Sequence, residues 1–377
     1  MKDTKIIANY LPQYHEIPEN NMWWGKGYTD WNATKKATPL FKGHIQPKVP
    51  EDENYYDLSN IENIRWQAEL AREYGVYGFG IYHYWFSSDL KLLQKPAELI
   101  LGDKSIDINY MFIWDNASWK RTWSNVKGGN DWAPLYEDKN QTNSGNGLLA
   151  ELIYGDESEW KKHFDYLLPF FLDSRYIRTE EGKPLFMFFN MDKDMDVLIK
   201  MTSYWNQLAV EAGLPGLAFA GKTNYHKISI FDYEVDYEPG QHGWAYNSFI
   251  KKVFARALFE LQKKIKTPHI LNYDRIWKRI IRHVAKCNDK KHLFSAFVNY
   301  DDTPRRGKNG RIVMGGTPEK FKAYMKEFIS ISRRKNKEFA FITAWNEWGE
   351  GAYLEPDNIY GKSYLKALKT AIDKEEK

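Results

Sequence analysis

NIRWQAELAREYGVYGFGIYHYW, residues 63–85, changes its period half-way. Up to Gly75 the apolar residues fall three and four apart, the spacing of one helix face. Beyond it, YGFGIYHYW (77–85) is almost continuously apolar and aromatic, as a strand buried on both faces would be. Similar units recur along the chain. KIIANY (5–10), INYMFIW (108–114), PLFMFFN (184–190), LAFAG (217–221), YEVDYE (233–238), LFSAFVNY (293–300) and FAFITAW (339–345) are the other strand candidates. Helical patterns lie between most of them, at 63–75, 92–101, 158–172, 198–213, 274–287 and 318–334. Such alternation predicts a mainly parallel sheet, and eight near-continuous apolar strands predict an α/β fold, a closed (β/α)8 TIM-type barrel with elaborated βα loops. An open doubly wound sheet has the same alternation, but no Gly-rich phosphate turn follows the first strand. With no repeat, low-complexity tract or Gly/Ser linker, residues 1–377 are expected to form one catalytic domain.

Composition narrows the function. The single cysteine, Cys287, excludes a disulfide within the chain and points to a reducing compartment. The start MKDTKIIANYLPQYH lacks a signal-peptide pattern, and no apolar run approaches the ~20 residues of a membrane span. A cytoplasmic location is therefore expected. The net charge of +4 is uneven: residues 251–292 hold thirteen Lys or Arg against three Asp or Glu. This basic insert, at about 246–292, reads as two amphipathic helices, FIKKVFARALFELQKKIK (249–266) and YDRIWKRIIRHVAKC (273–287). A solvated face accounts for them. A peripheral contact with the inner face of an anionic membrane is the sharper expectation. No nucleic-acid motif accompanies the charge, so nucleic acid is not an expected partner.

Aromatic residues make up 16% of the chain, many of them tryptophans in polar company, as in NNMWWGKGYTDWN and NASWKRTWSN. A core does not need tryptophan beside Asn, Lys and Gly. A sugar site does, since flat rings stack on pyranose faces while polar neighbours hold hydroxyls. In a barrel the chemistry lies at the C-terminal strand ends. Those ends supply Tyr10, Gln13, Tyr14 and His15; His83, Tyr84 and Trp85; Trp114, Asp115 and Asn116; Asn190; Glu238; Asn299, Tyr300 and Asp301; and Asn346, Glu347 and Glu350. Trp24, Trp119, Trp345 and Trp348 add rings, and Arg305 and Arg306 follow the seventh strand, near where barrels often hold phosphate. The arginines are expected to grip a uronate, a pyrophosphate or a backbone carbonyl.

The last strand runs into AWNEWGEGAYLEPD (344–357), which puts Glu347 and Glu350 three apart between tryptophans and glycines. Glycosidic bond chemistry commonly uses two carboxyl groups ~5–9 Å apart, and Glu-x-x-Glu just past a strand can aim both at one pocket. This run, with YLPQYHEIPENNMWWGKGYTDW (10–31), YGFGIYHYWF (77–86) and NYDDTPRRGKNGR (299–311), resembles the WbsX-type proteins of bacterial surface-polysaccharide gene clusters. These are glycosyltransferases by description and are related to the family-99 glycoside hydrolases, endo-α-mannosidases on a (β/α)8 barrel. The resemblance implies Glu350 as acid/base on the glycosidic oxygen and Glu347 as the base on the sugar's 2-hydroxyl. A 1,2-anhydro sugar then replaces a glycosyl-enzyme. One departure stands out: family members read like WANENWTRRW after the third strand, and this chain reads WDNASWKRTW (114–123), with Asp115 for alanine and Ala117 for glutamate.

The expected substrate is an oligosaccharide or lipid-linked glycan of surface-polysaccharide biosynthesis, with no cofactor. The alternatives are a transferase using a nucleotide-sugar or lipid-phosphate donor, and a catalytically silent glycan-binding barrel. Asp192-Lys-Asp194 has the D-x-D form that holds a metal in nucleotide-sugar transferases, but its setting reads as a helix start. His15, His83 and His242 lack metal-ligand spacing, and HExxH and CxxC are absent, so no metal is expected.

Overall fold

The computed structural model describes residues 3–120, 148–190, 195–223, 231–244 and 267–373. Eight parallel strands close a barrel: β1 (Lys5–Tyr10), β2 (Gly78–Ser87), β3 (Asn109–Trp114), β4 (Leu185–Phe188), β5 (Ala218–Lys222), β6 (Tyr233–Val235), β7 (His292–Phe297) and β8 (Phe339–Thr343). Each pairs with the next in sequence, and β8 returns to β1 with Phe339 opposite Lys5. The structure is the (β/α)8 barrel that the alternation predicts, with every strand candidate in place. The run YEVDYE leaves the sheet after Val235, and Pro239, which lacks an N–H for a ladder, opens the short helix Gly240–Gly243. In β2, Gly78 is required by packing: a Cβ there would lie 2.5 Å from the backbone oxygen of Asn109 on β3.

The outer layer holds α1 (Ile61–Glu73), α2 (Lys95–Gly102), α3 (Glu157–Leu172), α4 (Met195–Glu211), α5 (Tyr273–Lys286), α6 (Pro318–Arg334) and α7 (Ser363–Ile372). Side chains close the first turns of four of them: Asn60, Asp156, Asn272 and Thr317 accept from backbone N–H groups two or three residues on. Six helices match the predicted segments. The seventh, α7, packs on α6 through Leu365 and Leu368, which are fully buried. α5 is the second half of the basic insert. FIKKVFARALFELQKKIK (249–266) and Asp192-Lys193-Asp194 lie outside the described residues. Among the described residues, no helix is long and apolar enough to cross a membrane.

Candidate active site

At the C-terminal mouth of the barrel lies a cleft of about 580 Å³. Eight aromatic rings line it: Trp24, Tyr82, Tyr84, Trp119, Phe189, Tyr237, Trp244 and Tyr300. Asp115, Glu347 and Glu350 supply its carboxylates, and Lys222, Arg305 and Arg311 its cations. The rings are braced by polar contacts: Gln13 Nε2 donates to Tyr84 Oη (3.0 Å) and Tyr82 Oη to Tyr237 Oη (3.2 Å).

The glutamates sit on a small hairpin beyond β8. Asn346–Glu347 pairs antiparallel with Ala352–Tyr353, and the single turn Trp348–Glu350 lies between them. Gly351 closes that turn at φ +57°, a conformation that favours glycine. Asn346 ties the hairpin to the end of β1, accepting from Leu11 N (2.7 Å) and donating to Leu11 O (3.0 Å). Arg305, on the short helix Thr303–Arg306 after β7, then clamps the pair. Its Nη2 donates to Glu347 Oε1 (2.7 Å) and Asp30 Oδ2 (2.9 Å), and its Nη1 to Glu350 Oε1 (3.0 Å). Two such bonds to one guanidinium hold the accepting oxygens within about 8 Å of each other, short of the ~9 Å upper limit for catalytic carboxylate pairs. The middle glycine of WGEG makes room for this clamp, because a Cβ on Gly349 would lie 2.6 Å from Arg305 Nε and 2.7 Å from Asp30 Oδ2.

A family model described as "Glycosyltransferase WbsX" matches residues 6–368 of the 377. The chain belongs to the WbsX glycosyltransferase family. Among curated proteins it is similar to "Uncharacterized protein WxcX" of two strains of Xanthomonas campestris pv. campestris, 27% identical over 376 residues. That match takes in 97% of this chain and 49% of each relative, so the chain spans about half their length. Among solved structures it is similar to a GH99 endo-α-mannosidase from Bacteroides thetaiotaomicron, with 15% identity, a TM-score of 0.50 and 99% and 97% of the two chains covered. It also resembles a "Glycoside hydrolase-like protein", with 12% identity, a TM-score of 0.56 and coverage of 99% and 95%. At these identities the likeness to solved structures shows the barrel fold.

The WbsX barrel divides the predicted site residues by strand parity. Gln13, Trp24, Asp115, Trp119, Tyr300, Arg305, Glu347 and Glu350 line the cleft. Tyr10, His15, His83, Trp85, Trp114, Asn116, Asn190, Arg306, Trp345, Asn346 and Trp348 do not. On β1, β2 and β3, Tyr10, His83, Trp85 and Trp114 face the helices, while Leu11, Tyr82, Tyr84 and Asp115 face the cleft. Tyr10 Oη donates to Gln67 on α1, His83 Nε2 lies 2.8 Å from His163 Nε2 on α3, and Trp85 stacks on His163 at 4.3 Å. Trp114 packs on His163 and on Trp205 of α4. Side chains alternate along a strand, so a one-residue error exchanges wall for support.

The remaining predicted residues also work beneath the wall. Asn116 donates to Tyr154 Oη and Asn190 O, and Asn190 Nδ2 donates to Asp115 Oδ1 (2.8 Å). Burial raises the Asp115 carboxyl, with Lys222 opposing. At this position, where the family run has alanine, the chain therefore carries a carboxyl on the cleft wall. Arg306 pairs with the buried Asp302 at 3.3 Å. His15 is buried away from the cleft, and Trp345 is fully buried behind it. The arginines thus answer carboxylates of the protein itself.

Sequence reasoning missed Asp30 and Glu355. Asp30 is the third carboxylate on Arg305. Glu355, fully buried, accepts from Trp348 Nε1 (2.6 Å), Gln67 Nε2 (2.7 Å) and Tyr56 Oη (2.8 Å), and so fixes the tryptophan between the catalytic candidates. Its place in the run AYLEPD was the available signal. Burial pushes the Glu355 carboxyl up to about 7, against these donors. Burial likewise pushes Glu347 up to about 8; Arg305 pulls it back, and Glu350 and Asp30 push it further. Burial, with two further carboxylates around the same guanidinium, thus favours the neutral form of Glu347.

Proposed function

We propose that this chain cleaves or transfers a glycosyl unit with net retention, on a bacterial surface-polysaccharide or lipid-linked precursor. The observation that carries the reading is the Arg305-clamped glutamate pair on the wall of an aromatic-lined cleft. Glu350 gives its proton to the glycosidic oxygen as that bond breaks. Glu347 takes the proton of the 2-hydroxyl, and the 2-oxygen bonds to the anomeric carbon from the opposite side, leaving a 1,2-anhydro sugar. Water or an acceptor hydroxyl, deprotonated by Glu350, then opens the ring, and Glu347 returns the proton to the 2-oxygen. Two inversions give retention. The family description as glycosyltransferases favours an acceptor hydroxyl over water, and the endo-α-mannosidase on the same fold favours glycosidase-type steps. A substrate lacking the 2-hydroxyl is expected to show no turnover, measured by product release against its 2-hydroxy parent. Robust turnover of the 2-deoxy sugar would remove the anhydro step.

A second reading exchanges the two roles. Burial raises the Glu347 carboxyl to about 8, a shift toward the protonated form that suits a general acid.

The cytoplasmic setting and the membrane contact belong to the same reading. The apolar face of α5 is spent on the barrel: Trp277 stacks on Phe297 at 5.4 Å and on Tyr324 at the same distance. Arg275, Lys278, Arg282 and Lys286 are exposed on its other side. Any contact made by α5 is therefore electrostatic, without insertion. Co-sedimentation with anionic but not neutral liposomes is expected, and it should fall away as salt is raised toward 1 M, where the screening length is ~3 Å. Equal pelleting with both lipids would exclude it.

A further inference from the structure

On the far side of β6 from the cleft, four side chains with metal-binding atoms converge. His283 and Cys287 stand one turn apart at the end of α5, His292 opens β7, and Asp236 follows β6. His283 Nε2 and His292 Nε2 face each other at 3.3 Å. Asp236 reaches both, with Oδ1 2.9 Å from His292 Nε2 and Oδ2 3.2 Å from His283 Nε2. The metal-binding atoms of His283, Cys287 and His292 all lie within 4.8 Å of one another. Asp236 and His292 are buried, and Cys287 is half-buried, which leaves a way in from solvent.

We propose that Asp236, His283, Cys287 and His292 form a tetrahedral zinc-type site joining the end of α5 to β6 and β7. Zinc bonds of ~2.0–2.1 Å to nitrogen or oxygen put neighbouring ligand atoms about 3.3 Å apart, close to the 3.3 Å between the two Nε2 atoms and to the distance from each of them to its own Asp236 oxygen. The Cys287 sulfur, within 4.8 Å of a nitrogen on each histidine, completes the set. A thiolate and two imidazoles select zinc or a similar borderline metal over calcium or magnesium, which take oxygen ligands. Glu234 Oε2, 3.9 Å from His292 Nδ1, stands where a partner orienting a metal-bound imidazole is found. Four protein ligands make the site structural, with no open position for chemistry. Its effect on the cleft runs through β6, since Tyr237, the next residue after Asp236, lines it. The chain pattern is H-x3-C-x4-H, distinct from both HExxH and CxxC.

The full-length protein, stripped with a chelator and kept reduced, is expected to take up one equivalent of cobalt(II). The visible bands of four-coordinate cobalt and a near-ultraviolet thiolate-to-cobalt band should appear, and both should vanish on adding one equivalent of zinc. Cys287→Ser should lose the thiolate band while keeping its circular dichroism, and its zinc affinity should fall by on the order of 10²-fold or more, since even residues that only orient ligands are worth 10–100-fold. Should the unmodified protein bind no stoichiometric cobalt or zinc, or bind cobalt with no thiolate band, the cluster is an Asp–His–His hydrogen-bonded network and the proposal fails. Unchanged zinc affinity in Cys287→Ser would overturn it equally.

Discussion

Glu347→Gln and Glu350→Gln are each expected to lose on the order of 10²-fold or more in kcat/KM on an unactivated glycoside, the scale of general acid–base catalysis. Glutamine keeps the side-chain volume and can still accept from Arg305, so circular dichroism and thermal unfolding should change little. Leaving-group acidity then tells the two residues apart. An aryl glycoside with an acidic leaving group needs little protonation, so it should recover much of the rate in Glu350→Gln and little in Glu347→Gln. Recovery in Glu347→Gln instead would establish the exchanged roles that the raised carboxyl of Glu347 favours. Full activity in both variants on both substrates would make the pair structural and end the reading of WNEWGEG as catalytic.

Arg305→Ala is expected to have the largest effect on stability. Arg305 is 3% exposed and bonds Asp30, Glu347 and Glu350, so truncation leaves three carboxyl groups around a buried gap. Removing one partner of a buried ion pair costs about 3–5 kcal/mol, measured by urea unfolding. The dependence on pH carries the signature. Glu347 is raised in the folded protein from the ordinary glutamate range to about 8, so between those limits the folded state binds more protons than the unfolded chain. Its contribution is therefore present at low pH and lost as pH rises through about 8. Arg305 holds that carboxyl down, so without it the ionisation moves upward and the loss extends to more alkaline pH. The ionisation seen in the kcat/KM profile should move the same way. Arg305→Lys keeps the charge without the fork, and it should restore much of the stability while leaving the glutamates misaligned and activity low. An Arg305→Ala protein with unchanged unfolding and an unchanged pH profile would show that the clamp has no bearing on the pair.

Seven of the eight strands were legible as near-continuous apolar runs of strand length and the sixth, YEVDYE, as an alternating one, and six helices were legible because their apolar residues follow helical spacing over two turns or more. α7 escaped as the short, lysine-rich C-terminal run SYLKALKTAI. The glutamate pair was legible because its oddity is local: carboxylates among tryptophans and glycines just past a strand. Its surroundings were less so. Asp115 and Tyr84 line the cleft, while Tyr10, His83 and Trp114, from the same strand ends, face the helices.

By itself, then, the sequence determined the alternation of strand and helix, the closed barrel, the place of Glu347 and Glu350 just past the last strand, and through its motifs the family. These follow from interactions between residues a few positions apart. Only the tertiary structure decided which face of each strand meets the cleft, since a period of two fixes alternation but not its phase. It also placed Arg305 on the glutamates and on Asp30, a residue 275 positions away. And it alone brought Asp236 to His283, Cys287 and His292, because barrel closure places strands and helices side by side whatever their separation along the chain, and no local pattern records that contact.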